Sequence, residues 1–244
     1  MNLAKFRPVD YPESDGCPIG ETDDHRDAMF RVIELLKNHY HNQKVYVSGD
    51  LLVYYEQGDP KKFVVPDAFV AKGITQTRRR IYRFWVEGVV PQVVIETTSK
   101  STRVKDTEEK PWIYAKLGIR EYFMHDPTSE YLEPPLQGHR LHNGEYQAIA
   151  ADSTGGLFSE ELGLVLRISD GELNFFDSKS NQRVLTNSEM AAAEARARQI
   201  EAETRQRAEA EVERLKAELA RLQRLDRFLV LTYPFGIFAP LFDN

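Results

Sequence analysis

The chain has 244 residues, of which 41% are hydrophobic and 29% are charged, and its formal net charge is −6 at pH 7. The hydrophobic fraction is sufficient for one ordinary domain with an appendage, and the net charge argues against a protein coated with basic residues for non-specific nucleic-acid binding. The apolar runs are too short to span a bilayer and the N-terminal residues lack the apolar core of a signal peptide, so we expect no membrane contact and a cytoplasmic location.

The first hundred residues predict one helix followed by four strands. Residues 23–40 carry apolar side chains at the three-to-four-residue spacing of an amphipathic helix, and Asp23 or Asp24 can cap its start. Segments rich in β-branched and aromatic residues follow as strand candidates at 44–49, 51–56, 63–71 and 91–99.

The middle of the chain predicts a helix and then mainly strands. Residues 106–118 look helical, with Asp106 as a cap, Pro111 near the first turn or at a slight kink, and Gly118 at the end. Strand candidates follow at 119–127, in a hairpin over 139–149 with an Asn143-Gly144 turn, and at 164–168 and 173–176. Because helices and strands are mixed along the chain, the fold class is α/β or α+β.

The C-terminal part has a different composition. From Asn187 the chain is rich in Ala, Glu, Arg, Gln and Leu and has no Pro or Gly before Pro234, which predicts a long helix. Its large apolar residues follow the 3, 4, 3 spacing of a coiled-coil seam: Val212, Leu215, Leu219 and Leu222. This helix either forms a homodimer or is a single solvated helix that folds back on the body. The predicted division is therefore a domain at 1–186, a helix at 187–230 and an apolar tail at 231–244.

Two carboxylates interrupt apolar strand-like segments. Asp67 lies in VVPDAFV and Glu96 lies in VVIETT. An unpaired ionised carboxylate is costly to bury, and two carboxylates at adjacent strand ends repel each other unless a divalent cation lies between them. Oxygen ligands of this kind suit Mg²⁺ or Mn²⁺. We therefore predict a metal site formed by Asp67 and Glu96, which the carbonyl of Thr97 could join if the strand frays there.

The segment after Glu96 offers basic and hydroxyl side chains for a phosphate group. Lys110 lies one helical turn after Asp106, and its ammonium could reach back over the strand end. Four residues could contact phosphate oxygens: Ser99, Ser101, Thr102 and Lys105. A metal held by carboxylates polarises a phosphoryl group and lowers the pKa of a bound water, so this combination favours phosphodiester hydrolysis.

Further polar residues have more than one interpretation. Glu34 on the first helix is either a third acid of the site or a solvated residue. The segment from Arg78 to Trp85 interleaves bases with aromatic residues, which suits either a phosphate-contacting or base-stacking surface or a solvated basic loop that ends in a core strand or helix. We expect His125 to be a strand-end histidine with a structural hydrogen bond. The other histidines considered show no paired ligand spacing: His25, His41, His139 and His142.

A Pro-Asp pair, a strand-end Glu and a nearby Lys resemble the pattern of the PD-(D/E)XK nuclease superfamily. Residues 20 to 190 resemble the Uma-two family of endonucleases more closely, through VVPDAFV, VVIETTSKSTRVKDTEEKPWIYAKLGIREYFMHDP and FSEELGLVLRISDGELNFFD. The family pattern falls on Glu96, Ser99, Ser101, Thr102, Asp106, Lys110 and Tyr114. Thr98 stands where the superfamily has its lysine, so the basic role passes to Lys110, and Lys100 replaces a proline that is common between the two serines.

The resemblance implies an α/β fold with a restriction-endonuclease-like mixed β-sheet core flanked by helices. It also implies a Mg²⁺-dependent endodeoxyribonuclease, with Mn²⁺ as another suitable ion, in which Asp67, Glu96 and Lys110 are catalytic. The alternative is a catalytically silent nuclease-like module for nucleic-acid binding or assembly. The net negative charge and the lack of a recognisable DNA-reading domain favour this alternative.

Overall fold

The computed structural model describes residues 9–14 and 22–232. Its elements in chain order are α1 (Asp23–His39), β1 (Val45–Ser48), β2 (Val53–Tyr54), β3 (Phe63–Val64), β4 (Ala68–Lys72), β5 (Tyr82–Arg83), α2 (Phe84–Glu87), β6 (Val93–Thr97), a π-helical turn (Lys105–Glu109), α3 (Lys110–Leu117), β7 (Glu121–His125), β8 (Leu136–His142), β9 (Glu145–Ala148), β10 (Leu157–Ser159), β11 (Leu164–Ser169), β12 (Glu172–Asp177) and α4 (Asn187–Thr232).

A six-stranded mixed sheet forms the centre of the fold, in the order β1-β4-β6-β7-β8-β9. Strands β6 and β7 are parallel and are connected through α3, whereas the other neighbouring pairs are antiparallel. Two three-stranded sheets have the orders β10-β11-β12 and β3-β2-β5. The predicted α/β class, with a mixed sheet, flanking helices and a long C-terminal helix, is confirmed.

Both faces of the central sheet are buried. Side chains alternate along a strand, so Val93 and Ile95 of β6 pack in the core that includes α1, whereas Val94 packs in the core that includes Tyr114 of α3. This double burial explains why β6 reads as a continuous apolar run. A carboxylate at its C-terminal end therefore lies in a protein interior and not on a solvated face.

Several boundaries differ from the prediction. The segment 63–71 is two strands, β3 and β4, because Pro66 has no N–H to donate to a sheet ladder. The cap of α1 is Thr22, whose hydroxyl accepts from the N–H of His25 at 3.3 Å, and not Asp23 or Asp24. Strand β10 was not predicted, and β5 and α2 lie where one of the two interpretations of the basic segment placed a core strand or helix.

The hairpin between β8 and β9 is confirmed at the predicted Asn-Gly pair. Asn143 and Gly144 have φ angles of 50° and 88°, and positive values at both central residues are required by the tight turn that joins twisted antiparallel strands.

The chain divides into two compact units, Met1–Asn187 and Ser188–Asn244. The second unit contains nearly all of α4, and the apolar seam of this helix is exposed at each of its four residues. The boundaries at 186 and 230 stay predictions, and residues 233–244 of the predicted tail lie outside the described residues. Within the described ranges, no helix is long and apolar enough to cross a membrane. The cytoplasmic location stays a prediction from the sequence.

A buried carboxylate, Glu121, ties β7 to the second sheet. Its Oε1 atom accepts from Arg140 Nε and from the N–H of Glu160, both at 2.9 Å. Its Oε2 atom accepts from the hydroxyl of Ser159 in β10. Each carboxylate oxygen therefore has hydrogen-bond donors, and the charge is paired with a guanidinium.

We predict that Glu121→Ala lowers the free energy of unfolding by about 3–5 kcal/mol, because Arg140 and the backbone donors lose their buried partner. The matched control is Glu160→Ala, which removes an exposed carboxylate 2.7 Å from the same arginine and should cost less than about 1 kcal/mol. Urea titrations of the two variants measure the difference. Equal losses of stability would show that burial of Glu121 is not what gives the contact its importance.

Candidate active site

Asp67 and Glu96 meet at neighbouring ends of β4 and β6. The two strands are antiparallel, with Ala68 opposite Ile95. The backbone N–H of Asp67 donates to Glu96 Oε2 at 3.2 Å, and the backbone N–H of Thr97 donates to Asp67 Oδ2 at 2.7 Å. Each strand end therefore holds the other's carboxylate, so the predicted pair is brought together by reciprocal hydrogen bonds.

The close approach of β1 to Asp67 depends on a glycine. A Cβ atom added at Gly49 would lie 1.8 Å from the carbonyl oxygen of Asp67. The backbone N–H of the next residue, Asp50, donates to the carbonyl of Pro66 at 2.9 Å. Any larger residue at position 49 would have to displace the backbone that carries Asp67.

Three side chains on one face of the next helical segment complete the cluster. Asp106, Lys110 and Tyr114 are spaced four residues apart, so they lie on the same helical face. Lys110 Nζ is 2.9 Å from Glu96 Oε2 and 2.8 Å from Asp106 Oδ1. The hydroxyl of Tyr114 donates to Glu96 Oε1 at 2.6 Å. Asp106 is therefore not the predicted helix cap: its fully buried side chain lies inside the helical segment.

The cluster carries more negative charge than positive charge. Burial raises the pKa of the Glu96 carboxyl above its ordinary value, although the Lys110 ammonium acts in the opposite direction. Burial alone would lower the pKa of Lys110, but attraction to Glu96 and Asp106 raises it above its ordinary value. The first shift weakens this ion pair and the second strengthens it. We conclude that the ammonium is charged, because the carboxylates of Asp67, Glu96 and Asp106 all attract it.

The predicted phosphate-binding hydroxyls lie together in the loop after β6. Ser99 Oγ is 3.0 Å from Ser101 Oγ and 3.2 Å from Thr102 Oγ1. The backbone N–H of Ser99 also donates to Thr102 Oγ1 at 3.0 Å, which keeps the loop compact. Lys105 is exposed on the π-helical turn and forms no ion pair with a described residue. The structure therefore groups the three hydroxyls but not Lys105.

The sequence matches the model of the Uma2 family, described as "Putative restriction endonuclease", over residues 14–170, which is more than half of the chain. The chain belongs to the Uma2 family. The predicted resemblance is thereby confirmed.

This Uma2-family chain is similar to the crystal structure of a protein from Anabaena variabilis ATCC 29413, described as "a putative nuclease belonging to DUF820", with 12% sequence identity and a TM-score of 0.44. The alignment covers 67% of this chain and 79% of that chain. No curated protein matches the sequence.

The residues of this Uma2-family site fit a divalent cation in charge and in donor type. Asp106 Oδ2 is buried and has no hydrogen-bond partner among the described residues, and the three carboxylates exceed the single ammonium. Within the described ranges no group of three or more His, Cys, Asp or Glu side chains is already arranged around one ion position. Thr97 contributes its N–H to the site, and the metal-ligand role of its carbonyl stays a prediction.

The structure adds a residue that sequence reasoning missed. His25, in the first turn of α1, is 3% exposed, and its Nε2 atom is 3.8 Å from Asp67 Oδ2. No linear spacing connects these two residues, because the contact exists only once α1 packs against the sheet. Glu34 is not part of the site, since its Oε1 atom accepts from the N–H of Asn187 at 3.0 Å.

The basic and aromatic segment is partly neutralised in the Uma2-family fold. Tyr82 is fully buried and cannot stack on a base. The guanidinium of Arg79 is 2.8 Å from Glu87 and lies over the ring of Tyr46. The interpretation as a base-stacking surface is therefore wrong for Tyr82, and Arg79 is held by contacts within the chain.

His125 does not form the structural hydrogen bond that was expected. Its ring is 1% exposed, and neither ring nitrogen has a hydrogen-bond partner among the described residues. Burial lowers the pKa of His125 to about 4, although the neighbouring Asp126 acts in the opposite direction. The ring is therefore neutral at pH 7.

Proposed function

We propose that this Uma2-family chain is a metal-dependent endonuclease that hydrolyses DNA phosphodiester bonds. The observation that carries the proposal is the buried cluster in which Lys110 Nζ lies 2.9 Å from Glu96, next to Asp67 at the adjoining strand end. Carboxylates in excess can hold a divalent cation, and the fixed ammonium of Lys110 lies beside them. This combination suits phosphoryl transfer, in which both cations act on a negatively charged phosphate. The family's description supports the same reaction class.

In this proposal Asp67 and Glu96 hold Mg²⁺ or Mn²⁺, and the carbonyl of Thr97 is the third protein ligand. The bound ion would polarise the phosphoryl group and lower the pKa of a bound water. Burial of Glu96 matters because electrostatic interactions are stronger where water is excluded. The reciprocal backbone hydrogen bonds between the two strand ends keep the carboxylates in place before substrate binds.

Lys110 orients the attacking water and stabilises the charge that develops at phosphorus. Its ammonium is held by Glu96 and Asp106, so little reorganisation is needed when substrate arrives. Tyr114 fixes the rotamer of Glu96 through the hydrogen bond to Oε1. Lys110 is therefore the catalytic cation, whereas Tyr114 and Asp106 are positioning residues.

The hydroxyl loop binds the substrate phosphate. Ser99, Ser101 and Thr102 offer hydroxyl donors in one compact turn. Lys105, which is exposed, adds a longer-range phosphate contact and helps to attract DNA to a protein of net negative charge.

One observation favours the silent alternative. Both oxygens of Glu96 already accept hydrogen bonds or ion-pair contacts within the chain, as they would in a cluster that only stabilises the fold. Against this alternative, a buried ion pair adds little to the stability of a fold, because taking the two charges out of water is costly. Cleavage measurements on Lys110 and Lys105 variants distinguish the two functions.

We also propose that α4 joins two copies of the chain. Its seam residues, Val212, Leu215, Leu219 and Leu222, are 48–57% exposed, which is unfavourable for a helix without a partner. With Val212 and Leu219 at a positions, the flanking Glu211 and Lys216 take g and e positions of opposite charge, as a parallel pair requires.

We predict that replacing Leu215 and Leu219 together by Gln halves the mass of the full chain in solution, measured by light scattering after gel filtration. The control is Ile200→Gln, which removes an exposed apolar residue away from the seam and should leave the mass unchanged. If the double variant and the wild type have the same mass, the seam does not mediate self-association.

We predict that Lys110→Gln slows DNA cleavage by about a hundredfold or more, the scale expected when one group that stabilises the transition state is lost. Gln is preferred to Ala because it keeps a hydrogen-bond donor near Glu96 and Asp106. Lys105→Gln should instead weaken DNA binding and its salt dependence, as the loss of one phosphate contact would. The assay uses plasmid and single-stranded DNA with Mg²⁺, Mn²⁺ or EDTA.

Thermal unfolding of both lysine variants checks that the fold is retained, and Glu96→Gln serves as the inactive reference. If Lys105→Gln abolishes cleavage while Lys110→Gln remains near wild type, the lysine assignment is wrong although the carboxylate site stands. If neither change matters, the proposed mechanism fails.

A further inference from the structure

A groove runs along the N-terminal end of α1 and adjoins the candidate active site. It consists of two clefts of about 480 and 570 Å³, which share Asp24, Pro127 and Thr128 in their walls. The first cleft reaches His125, and the second reaches Thr98 and the loop of Ser99 to Ser101, which we call the serine loop. We call this surface the α1 groove.

Two buried side chains line the α1 groove with unsatisfied polar atoms. The two ring nitrogens of His125 and the hydroxyl of Thr98 have no hydrogen-bond partner in the part of the chain that the structure describes. Both residues are 1% exposed, and they lie at the matching C-terminal ends of β7 and β6, where Thr98 N–H donates to the His125 carbonyl. Buried polar groups are normally paired, so these atoms point to a bound polar ligand.

The two ends of the α1 groove differ in the hydrogen-bonding groups that they offer. Ser99, Lys100 and Ser101 line the end next to Thr98, where their hydroxyl and ammonium donors suit a phosphate, and Asp24 and Glu130 lie in other parts of the same wall. Asp27 and Glu172 line the end next to His125 together with Arg31, whose guanidinium is 3.1 Å from Glu172, so this end offers carboxylate acceptors for N–H groups beside a paired cation. A ligand that fits both ends has a phosphate for the hydroxyl donors at one end and a hydrogen-bonding group for the ring nitrogens of His125 at the other.

The two unpaired ring nitrogens of His125 favour a ligand group that forms hydrogen bonds. The neutral imidazole carries one N–H donor and one acceptor on neighbouring edges of a planar ring, and the edge of a nucleobase presents the same combination. A 480 Å³ cleft is within the size range of sites that enclose small planar ligands. A base inside a duplex is stacked and paired, so it could enter this cleft only after leaving the stack.

The wall of the cleft is fixed before a ligand binds. The carboxylate of Asp126 accepts from the backbone N–H groups of Thr128, Tyr131 and Leu132. These bonds hold the loop that carries Pro127 and Thr128 against the end of β7. The site therefore does not need to order a loop when it is filled, which favours binding.

We propose that the α1 groove binds one unpaired nucleotide of the substrate, with its phosphate at the serine loop and its base against His125. The inference rests on the proposed nuclease function and names its substrate class as single-stranded or locally unpaired DNA. His125 is then a specificity residue that acts through the base and takes no part in the bond cleavage.

The test measures binding of the four deoxynucleoside 5′-monophosphates to the full chain in EDTA, by calorimetry and by NMR of the histidine rings. Deoxyribose 5-phosphate is the probe that lacks a base. At least one nucleotide should bind and shift the ring signals of His125. His125→Phe keeps the approximate ring volume and removes the unpaired nitrogens. It should lower the affinity for that nucleotide by about tenfold or more, the effect of about one net hydrogen bond.

His125→Phe should leave both the melting temperature and the binding of deoxyribose 5-phosphate unchanged within error. The matched control is His139→Phe, at a half-buried histidine that packs on Tyr122 outside the α1 groove, and this change should not affect nucleotide binding. Equal nucleotide affinity in wild type and His125→Phe would overturn the inference. The inference would also be overturned if none of the four nucleotides binds or shifts the ring signals of His125.

The same variants separate the inference from the nuclease proposal. Wild type should bind a single-stranded 12-mer more tightly than the matched duplex, and His125→Phe should reduce this preference. If wild type cleaves DNA but the preference is absent or unaffected by His125→Phe, the inference fails and the nuclease proposal stands. If no cleavage occurs but nucleotide binding depends on His125, the nuclease proposal fails and the binding site stands.

Discussion

The structure depends on how one site accommodates three carboxylates, two of them fully buried, with one ammonium. Asp67, Glu96 and Asp106 converge on Lys110, and burial makes their mutual repulsion stronger than it would be in water. The chain limits this cost by the reciprocal backbone bonds between β4 and β6, by the Tyr114 hydroxyl and by the shift in the Glu96 pKa. What remains is an excess of negative charge, which is the feature that a divalent cation would relieve.

The other buried carboxylate, Glu121, shows what a purely structural site looks like in the same sheet. It lies at the start of β7, is paired with Arg140 and accepts from a hydroxyl and two backbone N–H groups, so its charge and its hydrogen bonds are satisfied. The Glu96 cluster differs because its acids outnumber its bases and one oxygen of Asp106 has no partner among the described residues. This contrast, within one protein and at similar burial, supports a functional interpretation of the Glu96 cluster.

The sequence allowed the fold class, the hairpin, the long helix and the pairing of Asp67 with Glu96 to be predicted, because each follows from local periodicity or from two strands that end side by side. It did not allow the role of Asp106 to be predicted, since an acid before a helix resembles a cap until the π-helical turn buries it. His25 was missed because its contact with Asp67 arises from the packing of α1 on the sheet. His125 was misjudged for a related reason: the sequence shows that a histidine ends a strand, but not whether any donor or acceptor faces it.

The most direct test of the excess-charge account is calorimetric unfolding of wild type and Asp67→Asn with and without Mg²⁺ or Mn²⁺. An ion that binds only the folded state stabilises it by about 2.7 kcal/mol at a hundred times its Kd, which raises the melting temperature of a domain of this size by several degrees. We expect this rise in wild type and its loss in Asp67→Asn, where one ligand charge is removed. If both proteins shift alike, or neither shifts, the carboxylate cluster is not a cation site and the central claim is wrong.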